Sequence, residues 1–296
     1  MHVVRFQSPG GRPQAGVRTG DTVAPVLGVT DLAELLRLTA AEFRAAVAKT
    51  GDAVPVDGVK LLPPLDGRGE VWCAGVTYER SRGARMEESG DEDIYDRVYS
   101  AERPELFLKS PAWRLVTDGE QIGIRVDSGH DVPEPELAIV ANAHGEIVGF
   151  TVCNDMSSRS IEGENPLYIP QAKVFAGGCA LAAGIRPAWE VADPKDLTID
   201  LVIRRGGDEV FTGTTSTAQL IRGLQDLIDV LFVPNDFPDG VILATGTGIV
   251  PELDFALQAG DVVEIAISDV GTLTNTVVVG REPFAYLATE SLEENR

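Results

Sequence analysis

Lysine is scarce in this chain: Lys49, Lys60, Lys109, Lys173 and Lys195 are the only five among 296 residues. Acidic side chains outnumber basic ones 46 to 25, for a formal net charge of −21. That balance argues against nucleic acid and anionic membrane as partners, because both repel an acidic surface. No run of about 18 apolar residues occurs, which speaks against a membrane-spanning helix. The opening MHVVRFQSPGGRP lacks the basic-then-apolar order of a signal peptide. Cysteine is rare too, and Cys73, Cys153 and Cys179 form an odd set without metal-ligand spacing. They are read as reduced, buried thiols, and the expected location is cytoplasmic.

What is present is enough apolar sequence, 44%, to bury a substantial core. Residues 1–66 read as a small α/β domain. Asp31 with Glu34, and Thr39 with Glu42, have capping-box spacing and open helices expected near 32–38 and 40–49. LLPPLDGRGE (61–70) is a Pro/Gly-rich linker into a main domain over 67–286, and 287–296 reads as a tail. The main domain is mostly strands, among them EVWCAGV, IVGFTVCN, LTIDLVIRR, GVILATG and DVVEIAI, with a hairpin turn in RRGGDEV. One amphipathic helix is expected over 216–232, with Leu220, Ile221, Leu224, Leu227, Ile228 and Leu231 as its apolar stripe. The charged stretch 78–105 is expected to form a helical lid. The fold class is therefore mostly β (α+β).

VPEPELAIV (132–140) carries the first candidate chemistry. Strand side chains alternate, so Glu134 and Glu136 leave the same face, in a segment with no solvated face beyond them. The next strand, EIVGFTVCND (146–155), follows the turn NAHG. Antiparallel pairing centred between Ala143 and His144 sets Glu134 opposite Cys153 and Glu136 opposite Thr151. Asp155 then shares the face of both glutamates. Glu-x-Glu by itself also fits an exposed edge strand. Three carboxylates in an apolar pocket need either protonation or a divalent cation. Oxygen ligands alone favour Mg²⁺, then Mn²⁺ or Ca²⁺. Zinc is disfavoured because His2, His130 and His144 are scattered outside the cluster. Arg159 offers a planar fork for a carboxylate, and Lys173 offers a base or charge stabiliser; each also fits a surface salt bridge. ATGTGIV (244–250) offers backbone N–H groups, but neither a full glycine fingerprint nor a following helix, so a dinucleotide site is discounted.

VPEPELAIV, GFTVCNDMSSR, Lys173, ATGTGIV and LQAGDVVEIAISDVGTLTNTV occur in an order that resembles the fumarylacetoacetate hydrolase superfamily, over about residues 70–281. The resemblance implies a mixed β roll around Mg²⁺ or Mn²⁺. Glu134, Glu136 and Asp155 match the metal ligands, and Arg159, Lys173 and Thr247 the positions that handle a 2-oxo acid. It also implies a homodimer or homotetramer. Within the superfamily, GVTYERSRGAR, YDRVYSAERPELFLK and IEGENPLYIPQAKVFAGGCAL resemble the 2-keto-3-deoxy-pentonate (xylonate or arabinonate) dehydratases, which give 2,5-dioxopentanoate. Hydrolytic branches carry a lid histidine where this chain has Ser81. The related S-x-R-D pattern reads SSRS, with Ser160 in place of the Asp and Glu162 nearby as a substitute.

The expected partner is thus a small-molecule 2-oxo acid, and the expected activity a metal-dependent hydro-lyase. Lys173 is the candidate base at C3, and Ser81, Arg82, Glu87 and Glu88 are candidate lid groups for the leaving hydroxyl. An acylpyruvate or fumarylacetoacetate-type hydrolase, or an oxaloacetate decarboxylase, would use the same metal. A non-catalytic homologue is the remaining alternative, favoured by Ser160.

Overall fold

The computed structural model describes residues 1–81, 83 and 92–294. A large mixed sheet runs through the molecule in the order Val54–Pro55, Thr22–Pro25, Gln14–Thr19, His2–Gln7, Gly184–Pro187, Ile147–Asp155, Pro135–Ala141, Val241–Ala244, Glu70–Gly75, Glu105–Pro111. The N-terminal strands join this sheet directly, because His2–Gln7 pairs with Gly184–Pro187. A second sheet has the order Asp208–Ser216, Thr198–Arg205, Val262–Ile267, Gly271–Val279, Gln121–Ile124.

The large sheet is covered on both faces, which is why its central strands are apolar on both sides. Leu137, Ile139, Phe150 and Val152 point toward the second sheet and meet Ile199, Leu201, Ile265 and Leu273. Ala138, Val140, Val148 and Cys153 point the other way, into a core closed by Leu32, Leu35, Leu36 and Phe43 of the N-terminal helices. Those helices span Leu32–Leu36 and Ala40–Val47. Thr39 and Glu42 form the reciprocal capping box, whereas Glu34 reaches the N–H of Thr30 and the Asp31 box is one-sided.

Three expectations change. The register of Pro135–Ala141 against Ile147–Asp155 sets Glu136, not Glu134, opposite Cys153. The turn is centred on His144, where Asn142 Oδ1 accepts from the N–H groups of His144 and Glu146, and a bulge between Val140 and Ala141 adds one more residue. The net slip is two residues, so every side chain keeps its face. The helix expected over 216–232 is split: a 3₁₀ turn at Thr217–Gln219, a break, then Leu224–Phe232. The N–H of Ile221 goes to the Thr77 carbonyl instead of continuing a helix, and Ile221 is exposed. Lastly, 287–294, read as part of a tail, lie in a helix, Ala285–Glu294. Within the stretch read as a lid, Glu92–Ser100 is helical. Arg222 donates to the carbonyls of Val98, Tyr99 and Glu102 at the end of that helix.

Candidate metal centre and its cleft

The start of Pro135–Ala141 and the end of Ile147–Asp155 meet at one end of the large sheet, where the Asp155 N–H donates to the Glu134 carbonyl at 3.0 Å. This pairing brings Glu134, Glu136 and Asp155 to one face, with one carboxylate oxygen of each within 4.8 Å of the others. All three are at most 4% exposed. They line a cleft together with Arg159, Glu162, Lys173, Gly246, Thr247, Ser81 and Glu105.

Cations come in from other elements. Lys173, closing the short helix Ile169–Lys173, donates to Glu134 Oε2 at 2.7 Å, Asp155 Oδ2 at 3.1 Å and Ser157 Oγ at 2.5 Å. Lys109, on Glu105–Pro111, pairs with the other Asp155 oxygen and donates to the Met156 carbonyl at 2.8 Å and the Lys173 carbonyl at 2.5 Å. Arg159 Nη1 lies 3.5 Å from Glu134 Oε1 and 3.7 Å from Glu162 Oε2. Glu136 has no lysine at contact distance among the described residues; its Oε2 accepts the Gly246 N–H at 2.7 Å. Gly246 has φ +92°, and a Cβ there would sit 2.0 Å from Thr77 Oγ1, so glycine alone permits this approach.

Burial, then Asp155 and Glu134, push the Glu136 carboxyl well above the usual range, against Lys173 and the Gly246 N–H. Burial and then Glu136 likewise raise the Tyr78 phenol, and burial, Asp155 and Glu136 raise the Cys73 thiol. In each of the three, burial is the larger cause and the neighbouring carboxylates add to it. A hard divalent cation among three carboxylate oxygens fits this donor set. Cys73, Cys153 and Cys179 are free and buried, and belong to the apolar core on this same sheet face.

The other residues singled out from the sequence fall as follows. Thr247 lines the cleft, with its Oγ1 bound to the main chain of Ile249. Ser81 lines it too, but its hydroxyl donates to the Tyr78 carbonyl and accepts that residue's N–H, a local turn rather than a free acid. Arg82, Glu87 and Glu88 lie outside the described residues. Ser160 does not line the cleft, and Glu162 is the acid beside Arg159. Lys109, Glu105 and Ser157 were missed. The scarcity of lysine was a usable signal for Lys109; Glu105 and Ser157 had none, since sheet topology alone brings them here. Val76, in the cleft wall, holds φ +52°, a left-handed conformation costly for a β-branched residue.

Comparison with known proteins agrees with this arrangement. A family model described as fumarylacetoacetate (FAA) hydrolase C-terminal matches residues 70–278, and one described as Rv2993c-like, N-terminal matches residues 1–64. A probable 2-keto-3-deoxyxylonate dehydratase of Haloferax volcanii is 45% identical over 238 residues, 79% of this chain and 82% of that protein. A 2-dehydro-3-deoxy-D-arabinonate dehydratase of Saccharolobus solfataricus is 42% identical, over 75% of this chain and 76% of that protein. A solved structure of 2-keto-3-deoxy-D-arabinonate dehydratase with magnesium and 2,5-dioxopentanoate superposes with TM-score 0.82 at 34% identity, covering 95% of this chain and 100% of the other. From the strand pair that carries Glu134, Glu136 and Asp155 to the match over residues 70–278, the observations agree that this chain belongs to the fumarylacetoacetate hydrolase family.

Proposed function

We propose that this protein is a Mg²⁺-dependent dehydratase of a 2-keto-3-deoxy-pentonate, xylonate or arabinonate, releasing water and 2,5-dioxopentanoate. The observation that carries the reading is one cleft in which a buried triad of carboxylates, Lys173 and Glu105 converge, in a chain 42% and 45% identical to two dehydratases of such acids. Glu134, Glu136 and Asp155 would hold the cation, whose Lewis acidity toward a 2-oxo acid raises the acidity of C3.

The remaining work falls to side chains. Arg159, kept between Glu134 and Glu162, offers its fork to the substrate carboxylate, and Thr247 flanks the same end. Lys173 Nζ takes the C3 proton. Its Nζ is held at the triad by Glu134, Asp155 and Ser157, the end of the cleft where C3 would lie. Glu105 stands in the cleft wall against Gly75, where a Cβ would lie 2.1 Å from its Oε2. In this reading it gives a proton to the C4 hydroxyl as water leaves. A proton then moves from C5 to C3, and the resulting enol becomes the C5 aldehyde, so that substrate minus one water equals product. No histidine lines the cleft among the described residues, which disfavours water activation for C–C hydrolysis.

The test is EDTA-treated protein with 2-keto-3-deoxy-D-xylonate, with and without Mg²⁺, followed by 2,5-dioxopentanoate formation. Product only with Mg²⁺ supports the reading; none, with Mg²⁺ bound, refutes it. We further propose a homodimer or homotetramer, because Glu105–Pro111 ends the large sheet with Leu108 exposed, next to exposed Trp113. Sedimentation showing a monomer would refute that. The free thiols favour the cytoplasm, which cell fractionation tests.

A further inference from the structure

The departure SSRS places Ser160 beside two other serines. Ser158 Oγ donates to Ser128 Oγ at 2.8 Å, Ser128 and Ser160 Oγ are 2.9 Å apart, and Ser158 and Ser160 Oγ 3.5 Å apart. Each hydroxyl also accepts a backbone N–H: Ser160 from Gly129, Ser128 from His130, Ser158 from Ile161. The knot therefore ties the loop before the triad strand to the first turn of the helix Arg159–Glu164. Two backbone bonds complete the tie, from the N–H groups of Arg159 and Ser160 to the His130 carbonyl at 2.8 and 3.4 Å.

Arg159 starts that helix, and its side chain runs back into the cleft, 3% exposed, between Glu134 and Glu162. Its guanidinium is thus only as well aimed as the helix start that carries it. The buried Asp131, on the two-residue strand Asp131–Val132 that pairs with Ser157–Ser158, already supplies a carboxylate there, with Oδ1 lacking a hydrogen-bond partner among the described residues. A second acid at position 160 would add like charge near it; a hydroxyl accepts the same N–H without adding charge.

We infer that Ser160, with Ser128 and Ser158, is a positioning residue for Arg159: the hydroxyl knot does in neutral form what the missing acid would do, and fixes the guanidinium that receives the substrate carboxylate. The inference rests on the proposed role of Arg159 and adds to it the device that aims that residue. Displacing such a fork by about 1 Å lowers efficiency by up to about a hundredfold.

The test compares wild type, Ser160→Ala and Ser160→Thr by three measurements. The first is KM and kcat for 2-keto-3-deoxy-D-xylonate. The second is calorimetric binding of pyruvate, which carries the same 2-oxo acid end, and of Mg²⁺. The third is a crystal structure of Ser160→Ala. For Ser160→Ala, KM and the pyruvate Kd are expected to rise about tenfold, with kcat and Mg²⁺ affinity changed less than about threefold. Ser160→Thr, which keeps the hydroxyl, restores both. An unchanged pyruvate Kd, Mg²⁺ affinity falling in step, or failure of Ser160→Thr to rescue would each overturn the inference. Wild type that neither turns over nor binds pyruvate would sink the functional reading instead. In that case the crystal structure still decides: Arg159 unmoved between Glu134 and Glu162 in Ser160→Ala overturns the positioning role.

Discussion

Lys109 is the residue whose removal the structure prices most clearly. Its side chain is 0% exposed, and so nearly is Asp155 at 1%. The ammonium has three donors and meets three acceptors: Asp155, the Met156 carbonyl and the Lys173 carbonyl. Lys109→Met keeps most of the volume, so the cavity contribution is small. It leaves a buried carboxylate oxygen and two carbonyls without their cation. Breaking one side of a buried pair costs about 3–5 kcal/mol. A chain of this length loses about 2 °C of Tm per kcal/mol, so Tm should fall by about 6–10 °C. The assay is thermal unfolding by circular dichroism in EDTA, repeated with saturating Mg²⁺. With Lys109 gone, Asp155 faces a bound cation with its charge less compensated, so Mg²⁺ should raise Tm more in the variant than in wild type. A variant within about 2 °C of wild type in EDTA would refute the claim that Lys109 compensates the buried Asp155.

Three further outcomes are expected. Glu105→Gln should lower kcat about a hundredfold or more, the usual worth of a general acid, while Mg²⁺ binding stays intact; a kcat near wild type would remove Glu105 from the mechanism. Gly246→Ala should cost about 1–3 kcal/mol from left-handed strain and loosen the N–H that serves Glu136, seen as a lower Tm with weaker Mg²⁺ binding, and unchanged Mg²⁺ binding would contradict it. Asp239 is held below the usual carboxylate range by hydrogen bonds from Arg68 and Arg37. Its contribution is complete above the unfolded value of about 3.9 and is lost as pH falls through its lower folded value. Asp239→Asn should therefore lower the urea midpoint at neutral pH and differ less from wild type as pH falls below about 4; a difference that stays constant across that range would show that charge is not the cause.

The candidate site was legible where short-range rules govern it. Period-2 alternation put Glu134, Glu136 and Asp155 on one face, and that survived a register error because the slip was an even number of residues. The lid acids named from the charged stretch were harder, because a run of charges says nothing about which one faces inward. Glu105 stood at the end of that same stretch, and its place in the cleft comes from pairing with Glu70–Gly75 in the large sheet. The departure at Ser160 reads as a loss in one dimension. In three, Ser128 comes from 32 positions away to complete the hydroxyl set.

By itself the sequence determined the strand-rich class, the caps at Thr39 and Asp31, the hairpin at Gly206 and Gly207, and the shared face of three carboxylates. Each depends on residues close along the chain, where backbone geometry and alternation leave few choices. Tertiary structure alone decided that the helix over 216–232 breaks, since the Thr77 carbonyl competes for the Ile221 N–H from 144 positions away. It alone brought Lys109, Lys173 and Arg159 from a strand and two short helices onto one acidic centre. Coulomb attraction in a buried place is strong but has no sequence period, so the partners of a charge become visible only when the chain has folded around them.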